Sequence, residues 1–187
     1  MSNARDLSNS IKKEAQELLK STRLENLLEA FGKVELGGSY AYDLMVDRDL
    51  DFGVAVSAIT PEIRTKIVST FTAQSWAYSV NMTDRVNFEP LFHLGAPRGL
   101  YIGLTIPFPK ERWNIDIWFI VANDLPPDEM SQLIAKATEE QKATMLEIKY
   151  ELMKSGRKEK GVTSADVYKA VVEGRVSTTL EFLQLTD

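Results

Sequence analysis

The sequence contains no cysteine and a single histidine, His93. The missing cysteine removes disulfides and thiolate metal ligands and fits a reducing compartment, so cytoplasmic residence is expected. One histidine makes a two-histidine metal site or a histidine-relay hydrolase hard to build. A metal site in this chain therefore rests on carboxylates, which select hard cations such as Mg²⁺ or Mn²⁺. No apolar run reaches about 18 residues and the first residues are polar, so neither a membrane span nor export is expected. A broad basic surface is missing too. The 22 Lys and Arg stand against 27 Asp and Glu, a net charge of −5, which argues against a nucleic-acid partner. A small basic pocket for a nucleotide is compatible with that balance.

What is present is an ordinary globular composition, 44% hydrophobic and 26% charged. The 187 residues suit one domain. Its core is expected at about 32–122, with N-terminal helices at 8–31 and a helical C-terminal part at 124–187. Ile11, Ala15, Leu18 and Leu19 recur with helical spacing, as do Leu24, Leu27, Leu28 and Phe31. Thr22-x-x-Glu25 reads as a capping box, which predicts two helices with a break near Ser21. Residues 33–36 read as a strand, 40–45 as a brief helical turn, and 51–56 as a covered central strand with apolar residues on both faces. Pro61 opens a helix to about Gln74. Strands are expected at 76–82, 100–106 and 115–121, with an irregular stretch, 86–97, between the first two. Helix formers then dominate. One helix opens at Pro126-Pro127, a second is capped by Thr138-x-x-Gln141, and two more cover 164–173 and 177–185, after a polar loop at 155–161. The fold expected is α/β (α+β): a short twisted mixed β-sheet, helices packed on one face, and a helical C-terminal extension.

Three features point to chemistry. Gly38-Ser39 stands at a strand-to-helix turn, where small residues admit a phosphate and first-turn amides attract anions. Asp49 and Asp51, two residues apart on a strand, project from the same face. Two such carboxylates repel unless a cation sits between them. Asp116 lies inside Asn114-Ile115-Asp116-Ile117-Trp118, on the face opposite Ile115 and Ile117. A carboxylate in so apolar a strand needs a compensating charge or donors. If its strand neighbours that of Asp51, three carboxylates converge beside the turn, an arrangement suited to two-metal phosphoryl chemistry.

Leu36-Gly37-Gly38-Ser39, Asp49-Leu50-Asp51 and Ile115-Asp116-Ile117 together resemble the nucleotidyltransferase superfamily typified by DNA polymerase β. Its small members include the lincosamide, aminoglycoside and minimal bacterial nucleotidyltransferases. The resemblance covers roughly residues 33–121. It implies that Asp49, Asp51 and Asp116 are catalytic and bind Mg²⁺ or Mn²⁺, and that Gly38 and Ser39 bind the nucleotide phosphates. It further implies transfer of a nucleotidyl group from an NTP, ATP first, to an acceptor hydroxyl or phosphate with release of pyrophosphate. A small-molecule acceptor is expected from the acidic surface, and an oligomer is compatible. Two other outcomes stay open: an idle nucleotide- or partner-binding module, and modification of a protein or tRNA. Two departures mark this chain. Tyr40-Ala41-Tyr42 follows the serine where many small members carry Arg or Gly, and Arg48 precedes the Asp-x-Asp where Ser is common.

Other candidates have plainer readings. Asp43 and Asp47 read as solvated loop residues, and Arg48, Lys149 and Arg175 as solvated charges able at most to reach a triphosphate. His93 reads as structural or surface, Glu89 as a loop acid able at most to serve as a base, and Arg157-Lys158-Glu159-Lys160 as a solvent-facing loop. Trp113 and Trp118 read as packing residues rather than base-stacking platforms.

Overall fold

Period-two alternation over Asp49–Val56 separates Leu50, Phe52, Val54 and Val56 from Asp49, Asp51, Gly53 and Ala55, and the chain forms a strand there. In the computed structural model, which describes residues 3–86, 97–125, 129–156 and 162–186, the first set is buried and the second half-buried. The expectation of two covered faces is thereby corrected. One face enters the core; the other, offering two carboxylates, a glycine and an alanine, has little apolar surface to bury.

This strand is the second of five: β1 (Lys33–Leu36), β2 (Asp49–Val56), β3 (Ser79–Asp84), β4 (Leu100–Phe108) and β5 (Glu111–Val121). They make one mixed sheet in the order β1-β2-β5-β4-β3. β2 and β5 are parallel, and the other neighbouring pairs antiparallel. Pro109-Lys110 turns β4 into β5 as a tight hairpin, with Phe108 opposite Glu111. Across the core face run the rows Leu50–Ile115–Leu104, Phe52–Ile117–Ile102 and Val54–Phe119–Leu100, all buried.

Helices pack on that face. α1 (Asn3–Thr22), α2 (Leu24–Glu29) and α4 (Pro61–Thr72) bury Leu18, Leu24, Leu28, Ile67 and Phe71, while α3 (Gly38–Ala41) is a single turn. Phe31 and Phe71 meet Phe119 with ring centroids 5.6 and 6.3 Å apart. Each such burial contributes about 1.5–3 kcal/mol. The break between α1 and α2 falls at Arg23, whose φ of 52° is left-handed. The capping box expected at Thr22 does not form. Thr22 is buried, and its hydroxyl donates back to the Leu18 carbonyl at 2.9 Å, satisfied within its own helix. α4 starts as its sequence predicts, with Pro61 in the first turn and Thr60 Oγ1 accepting from the Ile63 amide.

The sheet, α1 from Glu14 onward, α2, α3 and α4 belong to one compact unit, Glu14–Ala41 with Arg48–Pro126. A second unit comprises Met1–Lys13, Tyr42–Asp47 and Pro127–Asp187. Its described helices after the sheet are α5 (Glu129–Ala135), α6 (Glu139–Lys154), α7 (Ser164–Val172) and α8 (Thr179–Thr186). Leu44, Val46, Ile134, Met145, Ile148, Leu152, Val167, Tyr168 and Phe182 share its core. α6 opens with the expected Thr138/Gln141 capping box, and α7 with a second one, Thr163/Asp166. Lys149 is buried, which corrects its reading as a solvated charge. Its amino group donates to the Leu44 carbonyl and, at 2.8 Å, to the Tyr168 hydroxyl. The helix start at Pro126-Pro127 and the basic stretch 157–160 lie outside the described residues. Among the described residues, no helix is long and apolar enough to cross a membrane.

Candidate metal centre

The geometry begins with the parallel register of β2 on β5, which sets Asp51 opposite Asp116 and Asp49 opposite Asn114. All three aspartates point away from the core, as alternation requires. Carboxylate oxygens of Asp49, Asp51 and Asp116 lie within 4.8 Å of one another, and each residue is half-buried. Three anionic groups so close repel strongly, and a cation among them reverses the sign of that interaction.

The turn after β1 joins the same cluster. The Gly37 amide donates to the Asp51 carbonyl at 2.8 Å, so the turn is fastened to β2 beside the carboxylates. Gly38 follows with φ of 60°, and a Cβ there would fall on the Asp51 carboxylate. Glycine is thus demanded twice, by conformation and by contact. Ser39 stands next, half-buried, in a helix that ends at Ala41 rather than extending through 40–45.

Tyr101 is the functional neighbour that sequence reasoning missed. Its hydroxyl donates to Asp116 Oδ1 at 2.6 Å. Burial raises the phenol pKa well above its ordinary value, and the hydrogen bond and charge of Asp116, then the charges of Asp49 and Asp51, push the same way. The phenol therefore stays protonated and acts as the donor. Alternation in Leu100–Phe108 already sets Tyr101 and Gly103 on the face opposite Ile102 and Leu104. The adjacency of β4 to β5, with Gly103 opposite Asp116, is the part no local pattern carries.

The remaining candidates fall into place separately. Trp113 is fully buried packing, as read. Trp118 is half-buried, 5.1 Å from the Tyr101 ring, with the Arg85 guanidinium 5.9 Å from its centroid. Arg48 donates twice to Glu14, at 2.8 and 3.1 Å. In the helical unit Asp43 is exposed and pairs with Lys12, and Arg175 pairs with Glu173. His93 and Glu89 lie outside the described residues.

No family model matches the chain, and no curated protein matches it. Solved structures are similar to it. A chain of the non-canonical poly(A) polymerase complex GLD-2–GLD-3 aligns over 80% of this chain and 50% of its own length, at 10% identity and a TM-score of 0.51. A chain of the polymerase core of TRAMP, an RNA surveillance complex, aligns over 96% and 55%, at 13% identity and a TM-score of 0.49. The chain spans about half the length of these structures. The five-stranded mixed sheet with its covering helices is a fold shared with the chain of the GLD-2–GLD-3 complex.

Proposed function

We propose that the chain transfers a nucleotidyl group from an NTP, ATP first, to an acceptor hydroxyl or phosphate and releases pyrophosphate. The observation that carries this reading is the β2–β5 register, with Asp51 opposite Asp116 and Asp49 beside them. A donor set of three carboxylates, with no thiolate or imidazole among them, fits Mg²⁺ or Mn²⁺. Held by Asp49, Asp51 and Asp116, such a cation would supply charge neutralisation at the α-phosphate and at the attacking oxygen. Gly38 and Ser39 take the phosphates, Ser39 by a hydroxyl donated to a phosphate oxygen. Asp116 accepts the proton of the acceptor hydroxyl. The acceptor oxygen bonds to the α-phosphorus as the bond to the bridging oxygen breaks, and pyrophosphate leaves with that electron pair. Balance is simple: NTP and acceptor give nucleotidylated acceptor, pyrophosphate and a proton.

The acceptor in this reading is a small molecule, supported by the net charge of −5. A polynucleotide 3′ hydroxyl is the second reading, and the fold shared with a poly(A) polymerase complex is what favours it. α-Labelled ATP with Mg²⁺ or Mn²⁺, offered a small-molecule cell fraction and separately an RNA oligonucleotide, separates them. The expected result is a small labelled product with equivalent pyrophosphate, lost in Asp49→Asn/Asp51→Asn. A lengthened RNA would replace the first reading by the second, and label on protein or tRNA would assign a macromolecular acceptor. Binding of NTP without pyrophosphate from any of the four nucleotides would leave an idle module.

A further inference from the structure

We infer that Tyr101 is the positioning residue of the third carboxylate and that Gly103 is the opening through which it acts. The inference rests on the metal-dependent reading above. The 2.6 Å separation between the Tyr101 hydroxyl and Asp116 Oδ1 falls in the range of a charge-assisted O–H···O⁻ bond. One donor on Oδ1 leaves Oδ2, and the second lone pair of Oδ1, available to a cation. The terminal torsion of an aspartate is broad and two-fold, so the carboxylate needs an external hold. Asp51 stands directly opposite and Asp49 beside it, and their charge favours turning Asp116 away. The phenol opposes that rotation.

Tyr101 is itself held. Its ring lies 5.1 Å from that of Trp118, inclined by 47°, and Trp118 is two residues beyond Asp116 on β5. In the β4–β5 ladder, however, Tyr101 is opposite Trp118, and the residue opposite Asp116 is Gly103. The phenol must therefore reach along its strand, over residue 103, to meet the carboxylate. A Cβ at 103 would lie 2.7 Å from the Tyr101 hydroxyl oxygen and 3.2 Å from Cζ. Gly103 has no positive φ, so conformation does not demand glycine there. A glycine inside a strand weakens it and often marks a close approach. Here the group that approaches is the Tyr101 phenol.

Outer partners of metal-binding side chains typically govern metal affinity by about 10–100-fold. Mn²⁺ binding to the full chain, followed by electron paramagnetic resonance, tests the assignment in wild type, Tyr101→Phe, Gly103→Ala, the double variant and Asp116→Asn. Tyr101→Phe is expected to raise the Mn²⁺ dissociation constant by about 10–100-fold. Its melting temperature in EDTA should stay near wild type. Gly103→Ala displaces the flexible end of the phenol and is expected to weaken Mn²⁺ in the same direction. The double variant should bind no more weakly than the worse single one, since both remove the same hold. In turnover, the half-saturating metal concentration of Tyr101→Phe should rise in step with its Mn²⁺ dissociation constant. Wild-type Mn²⁺ affinity in Tyr101→Phe, with affinity lost in Asp116→Asn, overturns the inference and leaves the metal reading standing. A wild-type protein that binds no Mn²⁺ overturns both.

Discussion

Asp116→Asn separates a metal ligand from a structural partner, because the two roles predict opposite orders of stability. With carboxylate oxygens within 4.8 Å of each other, two unit charges repel by about 3–4 kcal/mol at an effective dielectric of about 20, and by about 1 kcal/mol in water. Asp116 faces two such charges, so its neutralisation relieves roughly 2–7 kcal/mol in the metal-free protein. Half-exposure and salt screening place the gain at the lower end. Asparagine keeps the shape and an oxygen for the Tyr101 hydroxyl, so the cost is the charge assistance of one hydrogen bond, about 1 kcal/mol. The net effect is a variant more stable than wild type in EDTA by about 1 kcal/mol or more. At this chain length that raises Tm by about 2–4 °C per kcal/mol.

Metal reverses the order. Wild type at 100 times its Mn²⁺ dissociation constant gains about 2.7 kcal/mol, whereas a variant lacking one of three ligands gains little. Melting curves in EDTA and in Mn²⁺ should therefore cross, and pyrophosphate release from the same preparations should fall by orders of magnitude in the variant. An Asp116→Asn protein that melts well below wild type in EDTA, or keeps its turnover, would refute the reasoning. Asp116 would then be a structural partner of Tyr101, and the three-carboxylate site would be given up.

Gly38→Ala should cost about 1–2 kcal/mol from its left-handed backbone alone. Because its Cβ falls on the Asp51 carboxylate, Mn²⁺ affinity by calorimetry should drop as well; unchanged affinity would contradict the placement. Ser39→Ala should weaken NTP binding by about 1–2 kcal/mol, the scale of a hydrogen bond to a charged group. A soaked crystal with the triphosphate away from this turn would sink that assignment. In the helical unit, the Thr163 hydroxyl bonded to Asp166 holds that carboxyl below its ordinary pKa. A depressed folded pKa contributes stability above the unfolded value of about 4, lost as pH falls through the folded one. Asp166→Asn should therefore flatten the acid limb of stability against pH below about 5 and leave its neutral slope unchanged, as denaturant titrations at several pH values would register.

The sequence carried those features that a period or a spacing can encode. Residues 33–36 form the expected strand, the Thr138/Gln141 box caps α6, and Asp49, Asp51 and Asp116 leave their strands on the side opposite the apolar residues. Boundaries moved where pairing rather than pattern decides them. β2 starts at Asp49 instead of residue 51 because its ladder with β5 already runs there, Asp49 opposite Asn114. β3 starts at Ser79 instead of residue 76, where its ladder with β4 begins opposite Thr105. Thr22 has the spacing of a capping residue but is buried at the end of α1, where its hydroxyl finds a carbonyl of its own helix. Lys149 sits on α6 among Met145, Ile148 and Leu152, and its amino group is met by the Leu44 carbonyl and the Tyr168 hydroxyl, both distant in sequence.

Adjacency between strands distant in sequence is the information a local pattern lacks, and the candidate site is built from it. Gly38 touches Asp51, Asp51 faces Asp116, and Asp116 accepts from Tyr101, so the turn after β1 is linked to β2, β5 and β4 in succession. Each link depends on a residue whose local role differs from its role in the site. Gly38 reads as a phosphate turn, yet the Asp51 carboxylate requires it before any phosphate does. Gly103 weakens its strand as a glycine does, yet its missing side chain is what admits the phenol. Two glycines, placed where a side chain would push a carboxylate or its donor aside, thus serve the same end from opposite sides of the β2–β5 pair. Metal affinity is the property that both losses should lower, because both act on the carboxylates, whereas loss of Gly38 should weaken phosphate binding as well.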